Sequence, residues 1–293
     1  MSGELFAFSS ALIWAVSTVL WALGTQRIHV IPLNLVRCLT ATAFFWALLP
    51  FYGGFEAISA VSPIAWFWLI LSVLTLLVAG DILFFRSIEL AGVSWAMPVA
   101  SVNPLWAVLM ASFFLDEPLT WTLLIGTILT VIGIALVSGT GSRAAEPTPQ
   151  DRRTHRRGVL VALAVSILWG VGQIILKPAT EGINSVVANS IRMPIGVVVM
   201  LFLTLWRGRW RELQGLDRRT WGILLLASLI GTGMGSLFFV YAIQLAGAGR
   251  TAVLTSISPL LAIPFSMLWL RERPTRWTLL GTLLTTVGVA LVA

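Results

Sequence analysis

Two stretches of the chain, LDEPLTWTLLIGTILTVIGIALV at residues 115–137 and LRERPTRWTLLGTLLTTVGVALV at residues 270–292, are identical at 12 of 23 positions without a gap. They lie 155 residues apart. The same offset relates Trp14 to Trp169, Arg37 to Arg192 and Pro104 to Pro259. A repeat that keeps one offset along the chain indicates two structurally equivalent halves.

Glycines recur within these two stretches. Gly126 and Gly133 match Gly281 and Gly288, and the seven-residue spacing keeps both glycines of a pair on one helix face. We expect the two segments to pack closely through these small residues, with packing against each other as one arrangement.

The composition is typical of a membrane protein. Of the 293 residues, 58% are hydrophobic and 11% are charged, whereas a soluble domain carries about 25% charged residues. So few polar side chains could not cover a globular surface in water, and we expect an integral membrane protein. The single cysteine, Cys38, excludes an intrachain disulfide. With two histidines it leaves no plausible zinc cluster, so no metal or other cofactor is expected.

Ten apolar segments are long enough to span the hydrocarbon core, which takes roughly 20 residues. They cover residues 5–23, 32–50, 64–85, 93–114, 119–138, 158–176, 184–206, 221–243, 249–270 and 276–293. The polar, arginine-rich stretch between the fifth and sixth segments is typical of a flexible linker. The predicted organisation is a five-helix repeat at 1–138, a basic linker at 139–157 and a second five-helix repeat at 158–293.

An odd number of spans in each repeat predicts that the two halves enter the membrane with opposite orientation. The predicted fold is therefore all-α: a polytopic membrane protein with ten transmembrane helices arranged as two inverted five-helix repeats. The loops that follow spans 1, 3, 5, 7 and 9 hold 15 of the 19 lysines and arginines. The positive-inside rule makes these loops cytoplasmic and both termini external. The net charge of +7 then follows from topology and does not indicate nucleic acid.

An arginine stands inside an apolar span twice, in NLVRC at 34–38 and in NSIRM at 189–193. A charge at the bilayer centre costs roughly 2.5–3.5 kcal/mol on insertion scales. One interpretation is that Arg37 and Arg192 reach the interface or bind helix carbonyls, and their duplication favours this structural role. The other is that at least one faces a cavity and binds a substrate carboxylate or phosphate.

Asp81 is the only acidic residue within a predicted span, and Ser236 stands at the equivalent position of the second half. An acid in one half alone suits an asymmetric task such as proton coupling or binding of a substrate amine. The alternative is that Asp81 lies near the end of its span, wetted or paired with Arg86 or Arg37.

Aromatic and polar side chains at similar depth complete the candidate site. Most tryptophans should anchor the chain at the membrane interfaces or pack within the protein, but the duplicated Trp14 and Trp169 lie in mid-span. Aromatic residues here could grip flat or apolar cargo by stacking or cation–π contacts. The candidate substrate-binding residues are Trp14, Ser17, Arg37, Asp81, Phe84, Asn103, Trp106, Trp169, Gln173, Arg192, Phe239 and Ser258.

The order of the motifs resembles that of a known family. SALIWAVSTV and SILWGVGQII open the two halves, NLVRC and NSIRM follow, and both halves then carry LAG and an in-span proline. This pattern is similar to the ten-helix EamA-like exporters of the drug/metabolite transporter superfamily, which include amino acid exporters of the YddG type. The resemblance implies a central cavity, alternating access, and amino acids, other metabolites or drugs as cargo.

We therefore predict a secondary active exporter of small organic metabolites, amino acids among them, in the bacterial inner membrane. Its partners would be a small-molecule substrate and the lipid bilayer, and a monomer could suffice. The alternatives are a multidrug or lipophilic-cation exporter and, after that, a membrane enzyme or scaffold without transport activity. The sequence offers no cluster of catalytic side chains near a membrane face and no Walker loop, so neither an enzyme nor direct use of ATP is expected.

Overall fold

The computed structural model describes residues 2–24, 28–139, 149–269 and 276–293. Within these ranges the regular structure is helical, without strands. The α-helices are α1 (Gly3–Gly24), α2 (Val30–Leu48), α3 (Gly54–Ser59), α4 (Pro63–Val73), α5 (Asp81–Ala91), α6 (Val93–Ala100), α7 (Asn103–Phe114), α8 (Trp121–Gly139), α9 (Pro149–Ala179), α10 (Ser185–Trp206), α11 (Trp210–Gln214), α12 (Arg218–Ser228), α13 (Gly235–Ala246), α14 (Ala248–Thr255), α15 (Ser258–Trp269) and α16 (Arg276–Val292). A 3-10 helix covers Leu49–Tyr52, and π-helical segments cover Leu74–Gly80 and Leu229–Met234.

Seven helical segments of the described chain are long and apolar enough to cross a membrane. They are Gly3–Trp21, Val30–Tyr52, Pro63–Ala91, Trp95–Phe114, Arg153–Ala179, Ser185–Trp206 and Arg218–Ala246. Fewer than the ten predicted segments meet this requirement within the described residues, where the apolar helices Trp121–Val137 and Leu279–Val292 are shorter and residues 248–269 are not among the seven. The predicted class, an all-helical polytopic membrane protein, is confirmed.

The two π-helical segments interrupt long helices at equivalent positions of the two halves. One lies between α4 and α5 and the other between α12 and α13. A π segment disturbs the regular ladder of backbone hydrogen bonds. Trp14 Nε1 donates to the Gly231 carbonyl at 3.0 Å, and Trp169 Nε1 donates to the Leu76 carbonyl at 3.2 Å. Each tryptophan therefore satisfies a carbonyl in the π segment of the other half.

The first helix of each half lies against the other half. α1 packs on α13, and α9 packs on α5. Two close approaches correspond at the 155-residue offset, since a Cβ on Gly3 would meet Ala246 and a Cβ on Gly158 would meet Ala91. Because α1 and α9 are exchanged in this way, the two halves interlock.

The helices α8 and α16 cross through the four glycines of the duplicated stretches. A Cβ on Gly126 would lie 2.5 Å from the Gly288 carbonyl oxygen, and a Cβ on Gly133 would lie 2.5 Å from that of Gly281. The reverse approaches are equally short. Since a later residue of α8 meets an earlier residue of α16, the two helices are antiparallel where they cross. The close packing through small residues that the glycine spacing predicts is confirmed.

The helices α2 and α10 also run antiparallel where they meet. Trp46 Nε1, late in α2, donates to the carbonyl of Ser190, early in α10, at 3.1 Å. Cys38, earlier in α2, lies against Gly196, later in α10. The buried faces of both helices thus join the two halves at a second place.

Proline divides the fourth predicted span. α6 ends at Ala100 and α7 begins at Asn103, with Pro104 in its first turn. Proline has no N–H to donate, so the carbonyl four residues earlier loses its helical partner. Asn103 Nδ2 donates to that carbonyl, of Ala100, at 3.2 Å. The same division recurs between α14 and α15, before Pro259.

Glu117 joins the loop before α8 to the start of α14. Its Oε1 accepts from the Ala248 N–H at 2.8 Å, and its Oε2 accepts from the Gly249 N–H at 3.0 Å. Lys177 Nζ also donates to Oε1, at 3.0 Å. A carboxylate at a helix N-terminus satisfies N–H groups that have no partner within the helix. The equivalent Glu272 lies outside the described residues.

Part of the predicted linker 139–157 is helical. α9 begins at Pro149, and proline is favoured at the first position of a helix because its N–H would be unpaired there anyway. His155, within this part, packs edge-on against Trp95 of α6 with ring centroids 5.2 Å apart. Residues 140–148 of the linker lie outside the described part of the chain.

Replacing Gly133 with alanine should destabilise the protein, because the new Cβ would meet the backbone of Gly281. Overpacking of a tight contact costs typically about 1–3 kcal/mol, so the unfolding temperature of the purified protein in detergent should fall. Gly222→Ala in α12 is the matched control, since a Cβ there meets nothing within 4 Å. It should leave the unfolding temperature unchanged or raise it. Equal responses of the two variants would contradict the glycine crossing.

Candidate functional site

Arg37 and Asp81 form an ion pair between α2 and α5. Arg37 Nη1 donates to Asp81 Oδ2 at 2.9 Å. Asn34 completes the network, because its Nδ2 donates to the same carboxylate oxygen at 3.1 Å and its Oδ1 accepts from Arg37 Nη1 at 2.6 Å. A spacing of three residues places Asn34 and Arg37 on one face of α2, which lets them share the carboxylate.

The same guanidinium reaches residues of other elements. Arg37 Nε donates to Thr232 Oγ1 at 3.2 Å, in the π segment of the second half. Its Cζ lies 4.4 Å from the ring centroid of Trp21 in α1, which is a cation–π distance. The side chains of Arg37 and Asp81 keep 20% and 18% of their surface exposed. The ion pair is thus held by both halves and is still accessible.

Arg192 is more enclosed, with 4% of its surface exposed. Its Nε donates to Ser72 Oγ at 3.0 Å, and its Nη1 donates to Asn189 Oδ1 at 2.9 Å. Within the described ranges no carboxylate lies within 4.0 Å of its guanidinium. These contacts agree with the structural interpretation of Arg192.

Arg37 and Arg192 have different surroundings because the first half carries Asp81 where the second half carries Ser236. Asn34 donates to the Asp81 carboxylate, whereas Asn189 donates to the backbone carbonyl of Ser236 at 3.4 Å. Asp81 and Ser236 are equivalent at the 155-residue offset. The first half therefore holds a neutral ion pair, and the second half holds a buried cation whose described hydrogen bonds go to uncharged groups. Of the partners suggested for Asp81, Arg37 is the one found, while Arg86 pairs with Glu89.

Four of the predicted aromatic residues form two equivalent pairs. The ring centroids of Trp14 and Phe239 lie 5.1 Å apart, and those of Trp169 and Phe84 lie 5.2 Å apart. The interplanar angles are 46° and 47°. Because both indole N–H groups already donate to π-segment carbonyls, these tryptophans offer a ligand ring faces and no hydrogen-bond donor.

A second polar cluster joins α7 to α9. Gln173 Nε2 donates to Asn103 Oδ1 at 3.2 Å, and Trp106 Nε1 donates to Ser166 Oγ at 3.0 Å. The buried Gln173 Oε1 has no hydrogen-bond partner among the described residues. Of the predicted residues, Gln173 and Asn103 therefore contact each other, and Trp106 contacts Ser166 of the same helix α9.

The remaining predicted residues are placed differently. Ser17 is fully buried and donates to a carbonyl of its own helix, and Ser258 begins α15 and is partly buried. Three contacting residues, Ser72, Thr232 and Ser166, were not predicted, because an isolated Ser or Thr in an apolar run carries no signal of its partner. That all twelve candidates line one substrate site stays a prediction. Within the described residues no group of three or more His, Cys, Asp or Glu could hold a metal ion.

Comparisons with known proteins cover nearly the whole chain. The family model of EamA-like transporters matches residues 1–139 and 156–293. A protein of Archaeoglobus fulgidus described as an uncharacterized transporter is 23% identical over 92% of this chain and 90% of its own length. A Streptantibioticus cattleyicolor protein described as a probable terminal-alkyne amino-acid exporter is 27% identical over 66% of this chain and 61% of its own.

A solved crystal structure is similar in fold, with a TM-score of 0.81 over 99% of this chain and 95% of that chain. The identity is 16%, so this likeness shows the fold alone. The names of both relatives point to a transporter rather than an enzyme. Together with the apolar helices, the family match identifies a multi-pass integral membrane protein.

The ion pair predicts a measurable coupling between Arg37 and Asp81. Asp81→Asn and Arg37→Gln should each lower stability by about 1–3 kcal/mol, since each leaves a partly buried charge without its partner. This is less than the about 3–5 kcal/mol of a fully buried pair because one fifth of each side chain is exposed. The double variant should lose less than the sum of the single losses.

Thermal unfolding of the wild type, the two single variants and the double variant in detergent measures this coupling as a double-mutant cycle. The exposed pair Arg86 and Glu89 is the control, because an exposed ion pair contributes at most about 1 kcal/mol. Additive losses at Arg37 and Asp81 would show that the pair is not coupled.

Proposed function

Because the chain belongs to the EamA-like transporter family of the drug/metabolite transporter superfamily, we propose that it is a secondary active exporter of small organic metabolites in the bacterial inner membrane. Amino acids are the first substrate class to test. One observation carries the proposal: the Arg37–Asp81 ion pair is held by residues of both halves within apolar helices and is still one-fifth exposed. A charge pair that only stabilised the fold would not need to remain accessible.

An amino acid can exchange with this pair. Its carboxylate fits the Arg37 guanidinium bidentately, and its ammonium group fits the Asp81 carboxylate. The ring faces of Trp14 and Trp169 offer apolar surface to its side chain. Protonation of Asp81 would remove its negative charge and weaken binding of the ammonium group, so proton and substrate would exclude each other, which gives proton-coupled export a physical route.

Net charge favours such a substrate over a lipophilic cation. Arg37 already neutralises Asp81, and Arg192 is a second arginine in the apolar helices with no carboxylate within 4.0 Å among the described residues. A site for lipophilic cations would need an acid without a counter-ion. We therefore rank a multidrug or lipophilic-cation exporter below an exporter of amino acids and similar metabolites.

We also infer that residues 1–138 and 158–293 are two inverted five-helix halves with ten spans in total, joined by the linker 139–157. The antiparallel crossings of α8 with α16 and of α2 with α10 support this arrangement, as does the exchange of α1 and α9. Inverted halves can rock against each other and open a central cavity to either side in turn.

Inversion predicts that equivalent loops face opposite sides of the membrane. Ala60 and Gly215 are exposed and lie 155 residues apart. In a Cys38→Ala background, Ala60→Cys and Gly215→Cys should react with a membrane-impermeant maleimide from opposite sides of sealed vesicles. Both should react after solubilisation in detergent, which is the control. Labelling from the same side would overturn the inverted arrangement.

The transport proposal is tested in proteoliposomes. Purified protein should catalyse saturable counterflow of labelled amino acids, and a pH gradient should drive net flux. Arg37→Gln should raise the half-saturation concentration at least about tenfold, as expected for loss of a charge-assisted hydrogen bond of about 1.5–3 kcal/mol. Asp81→Asn should abolish the response to the pH gradient.

Arg192→Gln is the matched control for Arg37→Gln. Because Arg192 is enclosed, its replacement should lower the yield of folded protein and leave the half-saturation concentration of the remainder unchanged. Counterflow of lipophilic cations but not of amino acids would favour the multidrug alternative. Absence of flux for every solute would overturn transport, and an unchanged pH response of Asp81→Asn would exclude its coupling role.

A further inference from the structure

An apolar groove of about 380 Å³ lies between α2 and α12, with α11 at one end. Leu39 of α2, Trp210 of α11 and Leu225 of α12 line it and are 48%, 40% and 45% exposed. In a membrane protein such exposed apolar walls face lipid. The groove lies at the arginine-rich loop 207–219, so it opens into the leaflet on that side of the membrane.

Hydrogen bonds of Glu212 hold α11 against the start of α2 and so fix one end of the groove. Glu212 Oε2 accepts from the backbone N–H of His29, which precedes α2, at 2.9 Å. Arg209 Nη1 donates to Glu212 Oε1 at 2.7 Å. Burial acts to raise the pKa of Glu212, but these hydrogen bonds outweigh it and hold the pKa below its usual range. The ionised carboxylate therefore keeps α11 in place as the end wall.

Unpaired cations stand at the same end of the groove. Arg207, Arg211, Arg218 and Arg219 are exposed, and no carboxylate of the described chain lies within 4.0 Å of their guanidinium groups. Two of the four share a helix face with residues that line the groove. Arg218 lies one turn before Trp221, and Arg211 lies one turn before Gln214.

The groove therefore has apolar walls along its length and exposed arginines at one end. Along α12, Arg218, Trp221 and Leu225 follow one another on one face, which gives the order cation, interfacial aromatic and aliphatic side chain. Basic pockets between membrane helices attract anionic lipid head groups. We propose that the groove binds one anionic glycerophospholipid, with its phosphate at Arg211 and Arg218 and an acyl chain between α2 and α12.

The other half provides an internal comparison. At the 155-residue offset Trp221 corresponds to Trp66, but Arg211 corresponds to Glu56 and Arg218 to Pro63. The tryptophan that suits any membrane interface is thus retained in both halves. The two arginines are specific to the second half, so the site is expected there alone.

Native mass spectrometry of the purified protein, titrated with phosphatidylglycerol or phosphatidylcholine in detergent, tests the proposal. The wild type should retain one phosphatidylglycerol more tightly than phosphatidylcholine. Arg211→Gln with Arg218→Gln should weaken phosphatidylglycerol binding about 30-fold, from two charges at about 1 kcal/mol each converted at 1.4 kcal/mol per tenfold.

Two matched variants separate the site from diffuse attraction. Arg207→Gln with Arg219→Gln removes the same charge from the same loop and should leave binding within a few-fold of the wild type. Leu39→Trp keeps every arginine but fills the groove, and should also weaken binding. Thermal unfolding of each variant in detergent verifies that it is folded.

Three results would overturn the proposal. Equal affinity for the two lipids would mean that the groove holds ordinary surrounding lipid. Equal losses in the two double-arginine variants would mean that the attraction is spread over the loop. Unchanged binding by a folded Leu39→Trp protein would mean that no acyl chain lies in the groove.

Discussion

Lipid offers no hydrogen-bond partner, so each backbone N–H and C=O within the bilayer must be satisfied by the protein itself. Helices meet this constraint over most of the chain, and the departures from regular helix are where side chains become necessary. Trp14 and Trp169 serve carbonyls of the two π segments, and Asn103 serves the carbonyl freed by Pro104. Because each tryptophan lies in one half and its carbonyl in the other, the halves cannot separate without leaving polar backbone unsatisfied in lipid.

The difference between the halves is as important as their likeness. Asp81 gives the arginine of the first half a counter-ion, and Ser236 at the equivalent position gives Arg192 none. The duplicated Asn and Arg residues are thus a common framework to which one carboxylate has been added. The proposed exchange of substrate with the ion pair would therefore use a carboxylate that the first half alone provides.

The sequence was sufficient to predict the membrane class, the repeat and the close packing through glycines, because apolar length and a constant offset are directly readable. It also identified the residues that pair with one another, among them Trp14, Phe239, Asn103 and Gln173. Which of these residues meet, and which backbone groups they contact, could not be predicted. A π segment has no sequence motif, and a hydrogen bond from Arg192 to Ser72 depends on which helices meet. The role of Trp14 and Trp169 as backbone donors was missed for this reason.

The crossing of α8 and α16 bears on how such a chain could arise. Gly126 faces Gly288 and Gly133 faces Gly281. The first glycine of each helix thus meets the second glycine of the other helix. A single helix with both glycines can therefore form the complete contact with an inverted copy of itself. An ancestral protein of half the length could therefore assemble as a pair before its gene was doubled, and fusion of the copies would have required no new contact surface there.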